Sequence, residues 1–544
     1  MIINAIEHGI KPGDEVSEKL NALLASFAEA DEEKTLVFEK GDYYLTAEKC
    51  PEKMLYITNT IGENEFKKGE TPPAHLQRVA ICFENIKNLK IEGNGACFII
   101  DGKATNAAVR FCENIEINGI EIKVVNPDLH EMRVVNKGLF YVDFKIDGET
   151  QYYVENGGLY FKGNGYCYNA LKKYRTAWHI AQIKENTPDK IKRVGHLFVN
   201  SVKCRDLGNR IVRIHYTSTS KFSRGDRYYP YDVRRQYAGI FVESSKNISL
   251  CEVAQRFNYS LAFVAQNTEN ITLERLDFSA GKGAERKMAS CADFIQICMC
   301  KGKISVTNSY FDGAGDDLLN VHGMHLKIQS VKENRITVRF MHPQSYGYNA
   351  FNKGDEIAFI CPQSLAEKGR AIIKASRMID EYNIEIELDN AEAARCGDAV
   401  ENITMCPDVY FAGNDSTRII TRGLLLTTRD RVTVENNRFK STTMSGILLS
   451  NDAKSWYESG PCKDVTIKNN TFEYCGETPI LIYPENSVHS EYIHENIAVE
   501  GNTFKSYSGC CVKAKSSRGI TLSGNTYANK KHIKATNCAD IYEK

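Results

Sequence analysis

Two aspartates stand side by side in "FDGAGDDLLNVHG" (Phe311–Gly323): Asp316 and Asp317, with Asn320 and His322 close behind. Adjacent carboxylates repel unless one is neutral or a cation lies near. A third aspartate, Asp293 in "CADFIQI", lies 23 residues earlier. A carboxyl kept neutral by its neighbours beside one kept ionised supplies an acid and a base in one place, as glycosidic-bond hydrolysis requires. Two plainer readings compete: a polar turn with an incidental Asp pair, and a calcium site built of oxygen ligands. The choice depends on whether the chain brings Asp293 to Asp316 and Asp317.

A recurring pattern bears on that. A polar residue, often Asn, is followed by Ile-x-Val/Leu/Ile, then Asn or Gly and Thr/Ser-Phe. It occurs in "NIKNLKIEGNG" (from Asn85), "NIEINGIEI" (from Asn114), "NISLCEV" (from Asn247), "NITLERLDF" (from Asn270) and "GKISVTNSYF" (from Gly302). It returns in "RVTVENNRF" (from Arg431), "DVTIKNNTF" (from Asp464), "NIAVEGNTF" (from Asn496) and "GITLSGNTY" (from Gly519). Asn247 to Asn270 is 23 residues, Val432 to Val465 33, Val465 to Ile497 32 and Ile497 to Ile520 23. Short period-two apolar segments on such a period mean stacked coils, none of which buries its apolar face alone. The "NN" and "GN" pairs supply residues that tolerate left-handed turns. The expected fold is all-β, a right-handed parallel β-helix. A β-propeller needs blades of about 40 residues, longer and more regular than these.

Two stretches break the period and read as inserted β-barrel-like modules. The resulting division is 1–125 (cap and first coils), 126–235 (first insert), 236–323 (coils carrying the Asp cluster), 324–415 (second insert) and 416–544 (C-terminal coils). In the second insert, "HLKIQSVKENRITVRFMH" and "KGDEIAFI" look like hairpin strands with turns at "KENR" and "NKGD". At the front, "DEVSEKLNALLASFAEAD" reads as an amphipathic helix capping the first coil, and "KTLVFEKGDYYL" as strand, turn and strand.

Composition narrows the function classes. The 69 Lys and Arg balance 69 Asp and Glu, which argues against a nucleic-acid or polyanion binder. No apolar run approaches the roughly 18 residues of a membrane span. The start, "MIINAIEHGIKPGD", has no basic n-region followed by an apolar h-region, so a cytoplasmic protein is expected, although a removed leader would look the same. The 18 cysteines are scattered, without a CxxC pair, and suit a reducing compartment. Cys291, Cys298 and Cys300 read as buried apolar residues rather than metal ligands.

Because 23 residues is one of the coil lengths, Asp293 is expected on the rung beside Asp316 and Asp317, about 4.8 Å along the axis. The three carboxylates must point outward, since unpaired charges in the apolar core are very costly. At these residues the chain resembles glycoside hydrolase family 110, the exo-acting α-1,3-galactosidases. The shared motif is Asp-Asp-x-x-Asn-x-His-Gly, here "DDLLNVHG". The resemblance continues in "RFMHPQSYGYNAFNKGDEIAF", "RGLLLTTRDRVTVENN" and "SNDAKSWYESGP". It implies a β-helix with inserted barrel modules and hydrolysis of terminal α-1,3-linked galactose with inversion, without metal or organic cofactor. It implies Asp316 as the general acid and Asp293 with Asp317 as the water-activating base. The partner implied is a galactose-terminated glycan such as a blood-group-B structure, with no nucleic acid and no membrane. A homo-oligomer is left open.

Asn320 and His322 share the strand parity of Asp316 and are expected to reach sugar hydroxyls; for His322 a bond to a turn carbonyl is the alternative. Arg422, Trp456 and Glu458 come from later coils that stack beside the Asp-Asp coil once the insert is looped out. Trp456 could floor a sugar face and Glu458 bond its hydroxyls, whereas Arg422 suits a salt bridge. "FSRGDRYYPYDVRRQY" (Phe222–Tyr237), which alternates Arg with Tyr, is expected to rim the cleft. The rival enzyme is a polygalacturonase-like hydrolase, which would need a basic subsite for a sugar carboxylate; here the next coil offers "RIITRG". A β-elimination lyase would want calcium and an Arg or Lys base. The non-enzyme rival, a carbohydrate-binding solenoid, has no use for three carboxylates at one spot.

Overall fold

The computed structural model describes residues 1–28, 30–60, 75–177, 180–231, 235–476 and 478–544. The chain forms a right-handed parallel β-helix. One long sheet stacks Lys87–Asp101, Glu113–Val124, Lys246–Cys251, Glu269–Glu274 and Lys301–Thr307. The second insert ends before the expected 415, because the long sheet already resumes with Pro407–Ala412 and continues through Val432–Glu435, Val465–Lys468, His494–Glu500, Ser517–Ser523 and Ala539–Glu543. A second face stacks Ile240–Glu243, Phe263–Gln266, Ile295–Cys298, Leu319–Lys332, Leu424–Thr427, Ile447–Leu449, Ile480–Ile482, Val512–Lys515 and Ile533–Thr536. The repeat positions fall in register: Val432 lies on Val465, which lies on Ile497, which lies on Ile520.

Period-two patterning turns Val432 and Val434 into the core and Thr433 and Glu435 outward. Two side-chain ladders lock successive coils. Phe439, Phe472 and Phe504 stack inside, with ring centroids 5.2 and 5.1 Å apart. Beside them the buried residues Asn414, Asn437, Asn470 and Asn502 form a column. Each Oδ1 accepts from the backbone N–H of the Asn one coil earlier: Asn437 from Asn414 (2.8 Å), Asn470 from Asn437 (2.9 Å) and Asn502 from Asn470 (2.9 Å). Each Nδ2 reaches back to a carbonyl, as Asn437 does to Phe411 (2.9 Å). The "NN" and "GN" pairs therefore do two jobs. Asn436 and Asn469 take positive φ at the corner, while Asn437 and Asn470 satisfy backbone groups the corner would orphan.

The capping helix, Ser17–Ala25, is shorter than its amphipathic stretch and lays Leu20 and Leu24 on the first coils. Strands Lys34–Val37 and Gly41–Thr46 both pair in parallel with Lys87–Asp101 rather than with each other. The first insert is an open seven-stranded antiparallel sheet with Met132–Lys137 and Arg227–Pro230 near its centre, plus a three-stranded meander, Gln151–Asn169. The second insert closes on itself. Leu319–Lys332, Arg335–Arg339, Asn383–Leu388, Glu367–Met378, Glu356–Ile360 and Ala399–Asn402 pair in order, and the last returns to the first. Its first strand is shared: Leu319–His322 belong to the helix and Lys327–Lys332 to the barrel. The barrel is also pinned by Arg429, whose guanidinium spans Glu401 (3.0 and 2.7 Å) and reaches Glu367 (2.9 Å).

Asn437→Ala strands the Asn414 N–H and the Phe411 carbonyl in a buried corner. Urea unfolding should show a loss of about 2–6 kcal/mol, from two orphaned groups at about 1–3 kcal/mol each. A loss below half a unit would mean that the Asn column contributes nothing to stacking.

Candidate active site

The Asp pair sits on a turn built by close packing. The N–H groups of Gly315 and Asp316 both donate to the Ala292 carbonyl of the preceding coil (3.1 and 3.2 Å). A Cβ at Gly315 would lie 2.5 Å from the Cys291 carbonyl carbon, so "GAG" before the pair is a steric requirement. Leu319 lies opposite Ile295 on one side and Leu424 on the other, and Phe294 N–H bonds the Asp317 carbonyl (3.0 Å). The local offset is thus 24 residues, which aligns Asp293 with Asp317 and sets Asp316 one step before them. Across the second insert, the next coil brings Thr421 and Arg422 to the same corner.

The three carboxylates, Asn320, Arg422, Trp456 and Glu458 line one cleft of about 610 Å³. Asp317 N–H donates to Asp293 Oδ1 (3.3 Å). Asp317 is gripped by Arg422, whose backbone N–H reaches Oδ1 (2.9 Å) and whose Nη1 reaches Oδ2 (3.0 Å). The Thr421 hydroxyl contacts Oδ1 of both Asp316 (2.9 Å) and Asp317. Asp316 pairs with Arg235. Its side chain is the most open of the three, 19% exposed against 5% for Asp317.

Protonation divides the cluster. Burial, then the charge of Asp316, push Asp293 well above the usual carboxylate range, against the pull of Arg235. Burial also raises Asp317, with Asp316 adding to it and Arg422 opposing. For Asp316 the burial penalty is outweighed by Arg235, then Arg193, the Thr421 hydroxyl and Arg422, and its carboxyl is held low. The surroundings thus favour a proton on Asp293 and disfavour one on Asp316, the residue expected to be the acid.

The other expected contacts divide too. Asn320 Nδ2 donates to Glu458 Oε1 (2.9 Å), leaving Asn320 Oδ1 buried and without a partner at the cleft. His322 does not reach the cleft. Its parity is right, but Glu458–Ser459 pairs antiparallel with Gly323–Met324 and covers that rung. The ring is 3% exposed: Nδ1 donates to the Gly323 carbonyl (2.8 Å) and Nε2 faces the Gln296 amide (3.0 Å). Trp456 is 45% exposed and stacks on His342 of the second insert, with centroids 4.6 Å apart. Burial, then Arg235 and His322, push His342 down to about 4, so a neutral ring backs the indole.

Several residues of the corner were not foreseen. Asp452 accepts the backbone N–H groups of Lys454 (2.8 Å), Ser455 (3.1 Å), Trp456 and Tyr457 (3.3 Å), and so shapes the loop that presents Trp456 and Glu458. Arg193 and Arg235 come from the first insert. In "YDVRRQY", Arg235 meets the Asp cluster, while 232–234 lie outside the described residues. Thr421 precedes Arg422 in register and was legible in principle, and Arg235 falls in the Arg-Tyr stretch expected to rim the cleft; no sequence pattern marks Arg193. Cys291, Cys298 and Cys300 are buried. Among the described residues no cluster of His, Cys, Asp and Glu has metal-holding geometry.

Residues 335–400 match the family model of the GLAA-B beta-barrel domain II, and residues 378–527 that of the right-handed beta helix region. The chain is 32% identical over 505 residues to alpha-1,3-galactosidase A of Bacteroides fragilis (strain YCH46), covering 91% of this chain and 81% of the relative. It is 31% identical to alpha-1,3-galactosidase A of Bacteroides thetaiotaomicron, covering 93% and 89%. To alpha-1,3-galactosidase B of Phocaeicola vulgatus it is 26% identical, covering 96% and 89%. Likeness of this order over almost the whole length of both partners means that the chain belongs to the α-1,3-galactosidase family, glycoside hydrolase family 110.

Proposed function

We propose that the protein is an exo-acting, inverting glycoside hydrolase that removes terminal α-1,3-linked galactose from oligosaccharides or glycoconjugates. The observation that carries this reading is the set of three carboxylates on two neighbouring rungs of one cleft, divided into protonated and ionised members. Asp316, the most open, is the proton donor to the leaving oxygen. Asp293 and Asp317, deeper and side by side, hold and deprotonate the attacking water. Asn320 Oδ1 accepts from a sugar hydroxyl, and Trp456 underlies a sugar face.

Asp316 must carry the proton when the bond breaks, and Arg235 opposes that. The reading therefore requires Arg235 to leave Asp316 as the leaving-side sugar enters, so that the proton held on Asp293 is free to redistribute in the coupled cluster. A second reading, favoured by the protonation of the free protein, makes Asp293 the donor. Asp316→Asn should lower the rate on a natural disaccharide by about two orders of magnitude or more, and much less on a nitrophenyl galactoside, whose leaving group barely needs a proton. Asp293→Asn and Asp317→Asn should fail on both. Selective rescue of Asp293→Asn instead would hand the acid role to Asp293.

Stereochemistry tests the constellation as a whole. A retaining enzyme needs its carboxyl pair about 5–5.5 Å apart and a covalent intermediate, whereas an inverting one leaves about 6.5–9.5 Å for a water. Proton NMR in the first minutes of turnover should show β-galactose before mutarotation mixes the anomers. Initial α-galactose would mean that one aspartate attacks the sugar directly.

The binding arm has its own test. Asp452→Ala frees four backbone N–H groups and should raise KM by about tenfold, at roughly 1–2 kcal/mol of lost positioning, with a smaller change in kcat. In a Trp178→Phe background Trp456 is the sole tryptophan, so its fluorescence should lose its response to galactose in the same variant. An unchanged KM would show that the loop holds itself without Asp452.

A further inference from the structure

A second depression lies on the face that carries the cleft, five rungs toward the C-terminal end. The outward positions of that face form one column. Asn320 lies opposite Leu425, then come Leu448, Leu481, Lys513 and Lys534. Leu425 and Leu448 line the catalytic cleft, while Lys513 and Lys534 line the second depression, of about 500 Å³. The turns entering these strands match as well. Arg422 and Met444 border the first depression, and Lys530 and Lys531 the second. At about 4.8 Å per rung, Lys513 and Lys534 stand roughly 19 and 24 Å along the axis from Asn320.

The chain as a whole is neutral, but residues 505–544 carry eight Lys and Arg against two Asp and Glu. Most basic residues of the coils are tied to carboxylates, as Arg438 is to Asp415, Lys463 to Glu495 and Lys468 to Glu435. Lys513, Lys530, Lys531 and Lys534 have no ion pair among the described residues. Lys513 and Lys515 instead flank the Tyr483 ring, with Nζ 5.3 and 4.7 Å from its centroid. These four ammonium groups outnumber the one carboxylate that lines the concavity, Glu543, which lies against His532, and the surplus of positive charge favours an anion.

We propose that this depression is a distal subsite for acidic groups, sulfate or carboxylate, on the leaving side of an extended glycan whose terminal sugar occupies the Asp cluster. The inference rests on the glycosidase reading above and adds the path and charge of its substrate. The glycan runs from the cleft over the apolar rungs of Leu425, Leu448 and Leu481 to the lysines. Neutral glycans are cleaved without this contact, and anionic ones are held by it.

The test compares kcat/KM for three α-galactosyl-terminated oligosaccharides of matched length (neutral, sulfated and carboxylated toward the reducing end), each divided by the value for the disaccharide. At about 0.02 M salt the anionic substrates should be preferred by about tenfold, the sum of several weak exposed contacts. The preference should vanish at about 0.3 M salt, where screening is strong. It should vanish also in the Lys513→Glu/Lys534→Glu double variant. Whether the sulfated or the carboxylated substrate leads identifies the anion. Equal normalised rates at low salt, or a preference that survives in the double variant, would overturn the proposal. Calorimetric titration with the sulfated oligosaccharide reads the same site without cleavage, so loss of all hydrolysis would sink the glycosidase reading while binding still decides the lysine subsite.

Discussion

Everything at the aspartate corner depends on how one coil sits on the next. Residues 293, 317 and 422 share no local sequence relationship; they meet because the backbone ladder fixes Ile295, Leu319 and Leu424 in one column. A slip of one residue would turn each outward side chain inward and bury a carboxylate among leucines, because the side-chain period of a strand is two. The buried Asn column and the Phe stack oppose such a slip, since both repeat once per coil and match in only one register.

That constraint explains what could be read without coordinates. Coil stacking has a sequence signature because each coil repeats the same corner chemistry, so the β-helix was legible from "VENN", "IKNN" and "VEGN". The meeting of Asp293 with Asp316 and Asp317 follows from coil length alone. Arg193 was not legible, because it belongs to a module outside the repeat and arrives by tertiary packing; the Arg-Tyr stretch gave Arg235 a place at the rim but not its ion pair with Asp316. His322 misled for a related reason. Strand parity gives the direction of a side chain but not what covers it, and the covering strand, Glu458–Ser459, comes from four coils' worth of sequence away. The pull of Arg235 on Asp316 was not readable, because the Arg-Tyr stretch does not say which of its arginines meets which aspartate.

The inserts are structural parts of the corner rather than ornaments on it. The barrel of the second insert begins as a continuation of the strand that follows the Asp pair, so no flexible linker separates the two. It returns His342 to back Trp456. The Arg429 guanidinium, shared by Glu401 and Glu367, ties the barrel to the coil that also supplies Arg422. Motion of the barrel against the helix would thus disturb both the Trp456 indole and the Arg422 grip on Asp317, and the geometry leaves little room for it.

The Thr421 hydroxyl has a consequence of its own. It touches an oxygen of Asp316 and an oxygen of Asp317, yet it owns a single hydrogen. One contact can be a donation; the other is attractive only if a carboxyl supplies a hydrogen in return. Two bare carboxylates would leave one of these contacts oxygen against oxygen. Thr421 thus counts hydrogens at the corner: its fit between the two side chains is satisfied when the pair holds one and is broken when it holds none. A change in the charge of the cluster during a catalytic cycle would be felt first as a rotation of this hydroxyl, and through the adjoining Arg422 N–H it would pass to the next coil.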